Sequence, residues 1–186
     1  MAAQAADAHL DGWVPSLDHA TFDDWNRVYE PSEDTFLLLD ALFADRDELR
    51  ASRAIVEIGP GSGVVATYLA KLTQNNVVAV DINEAACALT MRTADANGAR
   101  VDVVRGDLCG ALRSYSVDAL VFNPPYVPTE DEEVGGAGRQ FAAKKVLVQD
   151  AETRAIAETE ARLLTEFSGR PNFVVCHGTL VQNAKS

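Results

Sequence analysis

The sequence predicts an α/β fold: a mostly parallel central sheet with helices on both faces, ending in an atypical or truncated C-terminal part. Three observations point there. Short apolar runs at Ala54–Ile58, 77–80, 101–104 and 117–122 recur at intervals filled by helix-like segments. Strands that are apolar without alternation belong to a sheet covered on both sides, which is characteristically a parallel one. The first run ends in a glycine-rich turn, the second at Asp81 and the fourth at Asn123. The carboxyl ends of such strands are where open α/β sheets bind their ligands.

Taken in order, residues 1–28 carry Trp13 and Trp25 but show no sustained period, and read as a partly ordered N-terminal arm. A single domain over 29–186 follows. Ser32 opens a helix over 32–49, since a hydroxyl precedes acids in the first turn, where they complement the helix dipole. Phe36, Leu37, Leu39, Asp40 and Phe43 mark its expected buried side. Residues 64–72 and 84–96 read as helices between the first three strands. A last helix over 152–167 and one last strand over 173–177 complete the chain, followed only by a short polar tail.

Composition narrows the function classes. Of 186 residues, 47% are hydrophobic, enough for one well-filled core. The formal net charge is −12, from 16 basic and 28 acidic residues. That balance argues against a duplex-binding face, because non-specific nucleic-acid affinity comes from Lys and Arg neutralising phosphates. Its ordinary consequence is solubility. Cys87, Cys109 and Cys176 and His9, His19 and His177 are scattered without ligand spacing, so neither a metal site nor a disulfide framework is expected. A reducing intracellular compartment fits this cysteine usage. The N-terminus lacks the apolar core of a secretory signal, and no stretch approaches the roughly 18 apolar residues of a membrane span, so no membrane association is expected.

Four motifs carry the chemistry. Glu57-Ile58-Gly59-Pro60-Gly61-Ser62-Gly63 links a strand to a helix, where glycines let the backbone approach a ligand and helix N–H groups hold an anion. The spacing is GxGxG rather than the dinucleotide GxGxxG, with Val64 where the third glycine of that fingerprint falls. A tight turn without a ligand is the competing reading. Asp81, 22 residues after Gly59, ends the next strand, at the offset where an acid hydrogen-bonds ribose hydroxyls. Capping the following helix is its alternative role. Asp107 suits an adenine amino group and Leu108 the ring face, although an aspartate there is also an ordinary turn residue. Asn123-Pro124-Pro125-Tyr126 decides the matter. The prolines stiffen the turn and remove two donors. The Asn123 side-chain oxygen and the Pro124 carbonyl then suit the two protons of a planar NH2 group, with Tyr126 stacking on its plane.

On these residues the chain resembles Rossmann-like class I S-adenosylmethionine-dependent methyltransferases with an NPPY motif. It looks like the HemK-related branch that methylates the glutamine of class I peptide-chain release factors in eukaryotes and archaea. The resemblance runs over 29–135, through VYEPSEDTFLLLDAL, VEIGPGSGVV, VDIN and VFNPPYVPT. Tyr29-Glu30-Pro31 with Glu33-Asp34-Thr35 narrows it to the branch. It implies S-adenosylmethionine as cofactor, held by Thr35, Glu57, Gly59, Gly61, Gly63, Asp81, Asp107, Leu108 and Asn123. It implies Asn123, Pro124, Pro125 and Tyr126 as the substrate-amide clamp, with Asn123, Pro124 and Tyr126 catalytic. It further implies a cytoplasmic and also nuclear enzyme, and a small zinc-binding activator subunit on a sheet edge. Val101, Val103 and Val104 are the candidate edge; ordinary strand core is the equal alternative.

Residues 136–186 depart from the branch, which continues with a further helix, strand and antiparallel pair. One further strand is expected here, leaving the last sheet edge missing, replaced or supplied by another chain. The implied reaction is in-line displacement by an amide nitrogen, with orientation and acceptors doing the work of catalysis and no general base among the motif residues. Two other functions compete. A nucleic-acid adenine or cytosine amino methyltransferase uses the same clamp but needs a basic channel. A non-catalytic cofactor- or partner-binding remnant is suggested by the divergent end.

Overall fold

The computed structural model describes residues 9–107 and 117–123 and the backbone of two strands within 174–183. The elements are α1 (Phe22–Trp25), α2 (Glu33–Ala44), α3 (Arg46–Ala51), β1 (Ala54–Ile58), α4 (Val64–Thr73), β2 (Asn76–Asp81), α5 (Glu84–Ala96), β3 (Val101–Arg105), β4 (Ala119–Phe122), β5 (Val174–His177) and β6 (Leu180–Asn183). The sheet runs β3-β2-β1-β4, and every pairing in it is parallel. The Rossmann-like reading of the sequence holds.

Strand residues alternate between two apolar layers. Ile55, Val77, Ala79, Ala119 and Val121 join one cluster with Leu38, Leu39, Leu42 and Leu49 of α2 and α3 and with α4. Val56, Ile58, Val80, Leu120 and Phe122 form a second cluster on the other face. Both faces are closed to solvent, which is why the strands show no polar alternation. Helix α5 begins at a true cap, where the Asn83 side chain accepts from the Ala85 N–H at 2.9 Å.

Three expectations change. The helix expected over 32–49 breaks at Asp45, whose backbone (φ −92°, ψ 13°) leaves the α basin and starts α3. The buried side of α2 is Leu38, Leu39 and Leu42, whereas Phe36, Leu37 and Asp40 are exposed. The face is set by what packs on it, here α4 and the sheet, and a run as apolar as FLLLDALF fits more than one register. The polar tail expected after 177 contains β6, which pairs antiparallel with β5. Two strands therefore occupy the space allotted to one, and β5 lies next to β4. The helix expected over 152–167 lies outside the described residues.

The arm is fastened wherever it is described. Leu10 is buried in the first cluster, and its carbonyl accepts from the Tyr68 hydroxyl at 3.1 Å. Trp13 stacks on the Tyr68 ring. Asn97 grips Ser16 from both sides, donating to its carbonyl at 2.9 Å and accepting from its N–H at 2.8 Å. Val28 completes a third small cluster with Ala85, Ala86 and Leu89 of α5. Among the described residues no helix is long and apolar enough to cross a membrane.

Candidate functional site

Parallel register brings the candidate residues to one edge. Ile58 lies opposite Val80 and opposite Phe122, so the residues that follow β1, β2 and β4 emerge side by side. From β1 leads the glycine loop, from β2 Asp81, and from β4 Asn123. Strand β3 ends beside Asp81, where the Gly106 N–H donates to the Asp81 carbonyl at 2.9 Å, and exposed Asp107 follows.

The loop needs glycine at three points, for different reasons. Gly59 (φ +67°), Gly61 (φ +53°) and Gly63 (φ +80°) all adopt backbone that L side chains rarely take. At Gly59 a Cβ would meet nothing within 4 Å, so this glycine opens a cradle above β1. At Gly63 a Cβ would stand 2.6 Å from Thr90 Cα, so this one seats the loop against the backbone of α5. The loop is further sewn to α5 by Thr90 Oγ1 donating to the Gly61 carbonyl at 3.2 Å and Thr93 Oγ1 to the Ser62 carbonyl at 2.7 Å.

Asp81 is aligned by backbone. One oxygen accepts from the Asn83 N–H at 2.8 Å and the other from the Gly61 N–H at 3.3 Å. Burial pushes its pKa upward, partly offset by these N–H groups. The capping role open to Asp81 falls to Asn83 instead, the N-cap of α5; Asp81 braces the turn before it, and each of its oxygens retains acceptor capacity. Glu57 lies beneath the loop, only 3% exposed. Burial, then the Asp81 charge, pushes its carboxyl up to about 8, while the Ala66 N–H in the first turn of α4 pulls it down. Among the described residues its Oε2 has no hydrogen-bond partner, although fully buried. Such a group is an opening for a polar ligand or a store of strain.

The start of α2 closes the other side. Asn123 Nδ2 donates to Asp34 Oδ2 at 2.8 Å across 89 residues of sequence. The Ser32 hydroxyl donates to the other Asp34 oxygen. Burial would raise Asp34, but these donors and the Thr35 N–H outweigh it and hold the carboxyl below its usual value. Thr35 is half-buried in the same turn, its Oγ1 3.4 Å from the Ser32 N–H that donates to it. Thr35, Glu57, Gly59, Gly61, Gly63, Asp81, Asp107 and Asn123 thus lie in the described structure, while Leu108, Pro124, Pro125 and Tyr126 lie outside it. Asp34 was missed as a site residue. Its only sequence signal was membership of the Glu33-Asp34-Thr35 signature, and an acid in a first helical turn already has a sufficient local explanation.

At the far edge, β3 has β2 as its one strand neighbour among the described residues. Val101, Val103 and Val104 are half-buried there, Val101 and Val103 packing on the first cluster and Val104 on the second. Among the described residues no group of three or more His, Cys, Asp or Glu is placed to hold a metal ion.

The methyltransferase small domain family matches residues 32–167. The chain belongs to this family. Methyltransferase HEMK2 of Mus musculus is 44% identical over 134 residues, a match covering 69% of this chain and 63% of that protein. The eRF1 methyltransferase catalytic subunit mtq2 of Schizosaccharomyces pombe is 38% identical over 147 residues, covering 70% of this chain and 64% of that one. A release factor glutamine methyltransferase of Geobacter sulfurreducens is 44% identical over 81 residues, 43% of this chain and 28% of that one. The chain therefore spans less than two thirds of the length of these curated relatives. In three dimensions it is similar to the N-terminal domain of human METTL16 in complex with SAH, with a TM-score of 0.50 and 17% identity, covering 81% of this chain and 57% of that one. That likeness concerns the fold.

Proposed function

We propose that this chain is an S-adenosylmethionine-dependent N-methyltransferase acting on the side-chain amide of a glutamine in a peptide-chain release factor. The observation that carries this reading is the place of Asn123: it follows β4 at the same end of the sheet as the glycine loop after β1, with its amino group held by Asp34. The names of the S. pombe and G. sulfurreducens relatives support the substrate.

The residues present fit the cofactor. Asp81 offers carboxylate oxygens, already aligned by two N–H groups, to ribose hydroxyls. The cradle at Gly59 has room for close approach, and the Glu57 oxygen without a partner among the described residues suits a polar group. Thr35, Asp107 and Leu108 complete the proposed set. Bound there, S-adenosylmethionine supplies an electrophilic methyl group on a cationic sulfur. The protein's share is orientation. The Asn123 oxygen and the Pro124 carbonyl accept the two protons of the substrate amide, and Tyr126 stacks on its plane. Pro125 keeps the turn rigid and free of competing donors. Held this way, the nitrogen directs its lone pair out of plane, and acceptors meet the charge that develops on it. The proton leaves to water or through Asn123.

The reading includes a small zinc-binding activator subunit covering β3. An edge strand bearing Val101, Val103 and Val104 calls for a cover, and the words "catalytic subunit" in the name of the S. pombe relative are consistent with one. A release-factor substrate places the reaction in the cytoplasm, and the nucleus is included. The test offers a GGQ-containing release factor and DNA in parallel to the protein with methyl-labelled cofactor, with and without the activator. Label on the release-factor glutamine is the expected result. Label on DNA amino groups instead, or cofactor binding without transfer to either, overturns it.

A further inference from the structure

The contact between Asp34 and Asn123 does more than join α2 to β4. A primary carboxamide has one oxygen that accepts and one NH2 that donates, and rotating it by half a turn exchanges them. The terminal torsion of asparagine is soft, with broad, roughly two-fold preferences, so sequence and backbone leave that choice open. Asp34 closes it. An ionised carboxylate accepts only, so the atom 2.8 Å from Asp34 Oδ2 is the Asn123 nitrogen. The flipped arrangement would set oxygen against oxygen. Asp34 is itself braced on its other oxygen by the Ser32 hydroxyl and anchored in the first turn of α2. With the amino group committed to Asp34, the Asn123 oxygen is the carboxamide atom turned from that carboxylate. We infer that Asp34 is the positioning residue that fixes the carboxamide of Asn123 with its oxygen turned toward the acceptor nitrogen.

This rests on the proposed N-methyl transfer for its consequence, but not for the contact itself, and the two are separable by experiment. Asp34→Ala removes the contact that disfavours the flipped carboxamide. Misplacing one acceptor in this way is expected to lower kcat by about ten- to a hundredfold. Cofactor affinity and KM should stay within about twofold. Asp34→Asn retains an oxygen that accepts from Asn123 Nδ2, so its kcat should lie closer to wild type than that of Asp34→Ala. Because Asp34 acts through Asn123, Asp34→Ala should slow single-turnover transfer no further when Asn123 is already Ala. The second readout needs no substrate. In 15N-labelled full-length protein, the side-chain NH2 signals of Asn123, identified by their loss in Asn123→Ala, should move in Asp34→Ala and move less in Asp34→Asn. Turnover of Asp34→Ala within twofold of wild type, or Asn123 NH2 signals unmoved by it, overturns the inference. If the wild-type protein methylates no release factor, the proposed function falls. The NH2 signals then decide the inference alone, displacement supporting it and constancy overturning it.

Discussion

Replacing Gly63 with Ala tests whether this glycine serves the loop or the ligand. An alanine there must hold φ near +80°, which costs about 1–2 kcal/mol for an L residue. Its Cβ would also lie 2.6 Å from Thr90 Cα and 3.1 Å from Thr90 Cβ and Cγ2. Thr90 is fully buried, so no flexible tip can swing aside. The backbone of α5 must retreat by about 0.8 Å, the gap between 2.6 Å and the 3.4 Å where ordinary contact begins. That movement loosens the Thr90 and Thr93 hydrogen bonds to the loop. Overpacking of this kind costs about 1–3 kcal/mol, so the expected loss is about 2–5 kcal/mol. Gly59→Ala shares the unfavourable φ (+67°) but meets nothing within 4 Å, and should lose only the strain, about 1–2 kcal/mol. Urea unfolding of the two variants, followed by circular dichroism without cofactor, measures the difference. If Gly63→Ala is as stable as Gly59→Ala, the seating of the loop on α5 is not what requires glycine.

Asp81→Ala removes an acceptor aligned for a ribose hydroxyl and should weaken S-adenosylmethionine binding by about 1–3 kcal/mol; isothermal titration that finds unchanged affinity takes Asp81 out of the site. Glu57 is protonated in the folded protein up to about pH 8 and ionised in the unfolded chain above about 4.5. The unfolded state therefore binds fewer protons between these values, and Glu57 makes stability fall as pH rises through that window, by up to about 1.4 kcal/mol per unit. Glu57→Gln should flatten the decline, read from urea midpoints at pH 5.5 and 7.5; a slope equal to that of the wild type refutes the assignment. Asn123→Ala should reduce methyl transfer about a hundredfold or more while cofactor binding changes little, by analogy with removal of one preorganised oxyanion-hole group. Asn123→Asp should also turn over more slowly, because it sets a carboxyl oxygen against Asp34 where the amino group donated. Near-normal turnover in both variants reduces the segment to a rigid turn.

The elements whose signals are local were legible in the sequence. Helix α5 begins and ends where the sequence places it, at Glu84 and Ala96, and β1, β2 and β3 coincide with their apolar runs to within a residue at each end. The elements and contacts that depend on distant partners were not. Which side of α2 is buried was settled by α4 and the sheet, leaving Phe36 and Leu37 outside. Strand β6 is four residues, LVQN, too short to carry a period, and exists through its pairing with β5. At the candidate site, the glycine loop, Asp81 and Asn123 come to one end of the sheet, because strand ends and glycine turns are local features. They did not separate the open cradle at Gly59 from the packing glycine at Gly63, since Thr90 stands 27 positions further on. Nor did they give Asp34 its partner 89 positions away.

The double grip of Asn97 on Ser16 has a consequence for the order in which the chain assembles. Closing a loop of 81 residues in an unstructured chain costs about 4 kcal/mol of entropy, against about 1 kcal/mol returned by each hydrogen bond. The bonds become favourable only once β1, α4, β2 and α5 already hold Asn97 near the place where Ser16 will lie. The segment around Leu10, Trp13 and Ser16 is made before any of these elements, yet it docks after them. In the finished protein the same asymmetry makes this segment a latch. Its amides should exchange with solvent through an opening that leaves the sheet closed, and each opening uncovers Tyr68 first.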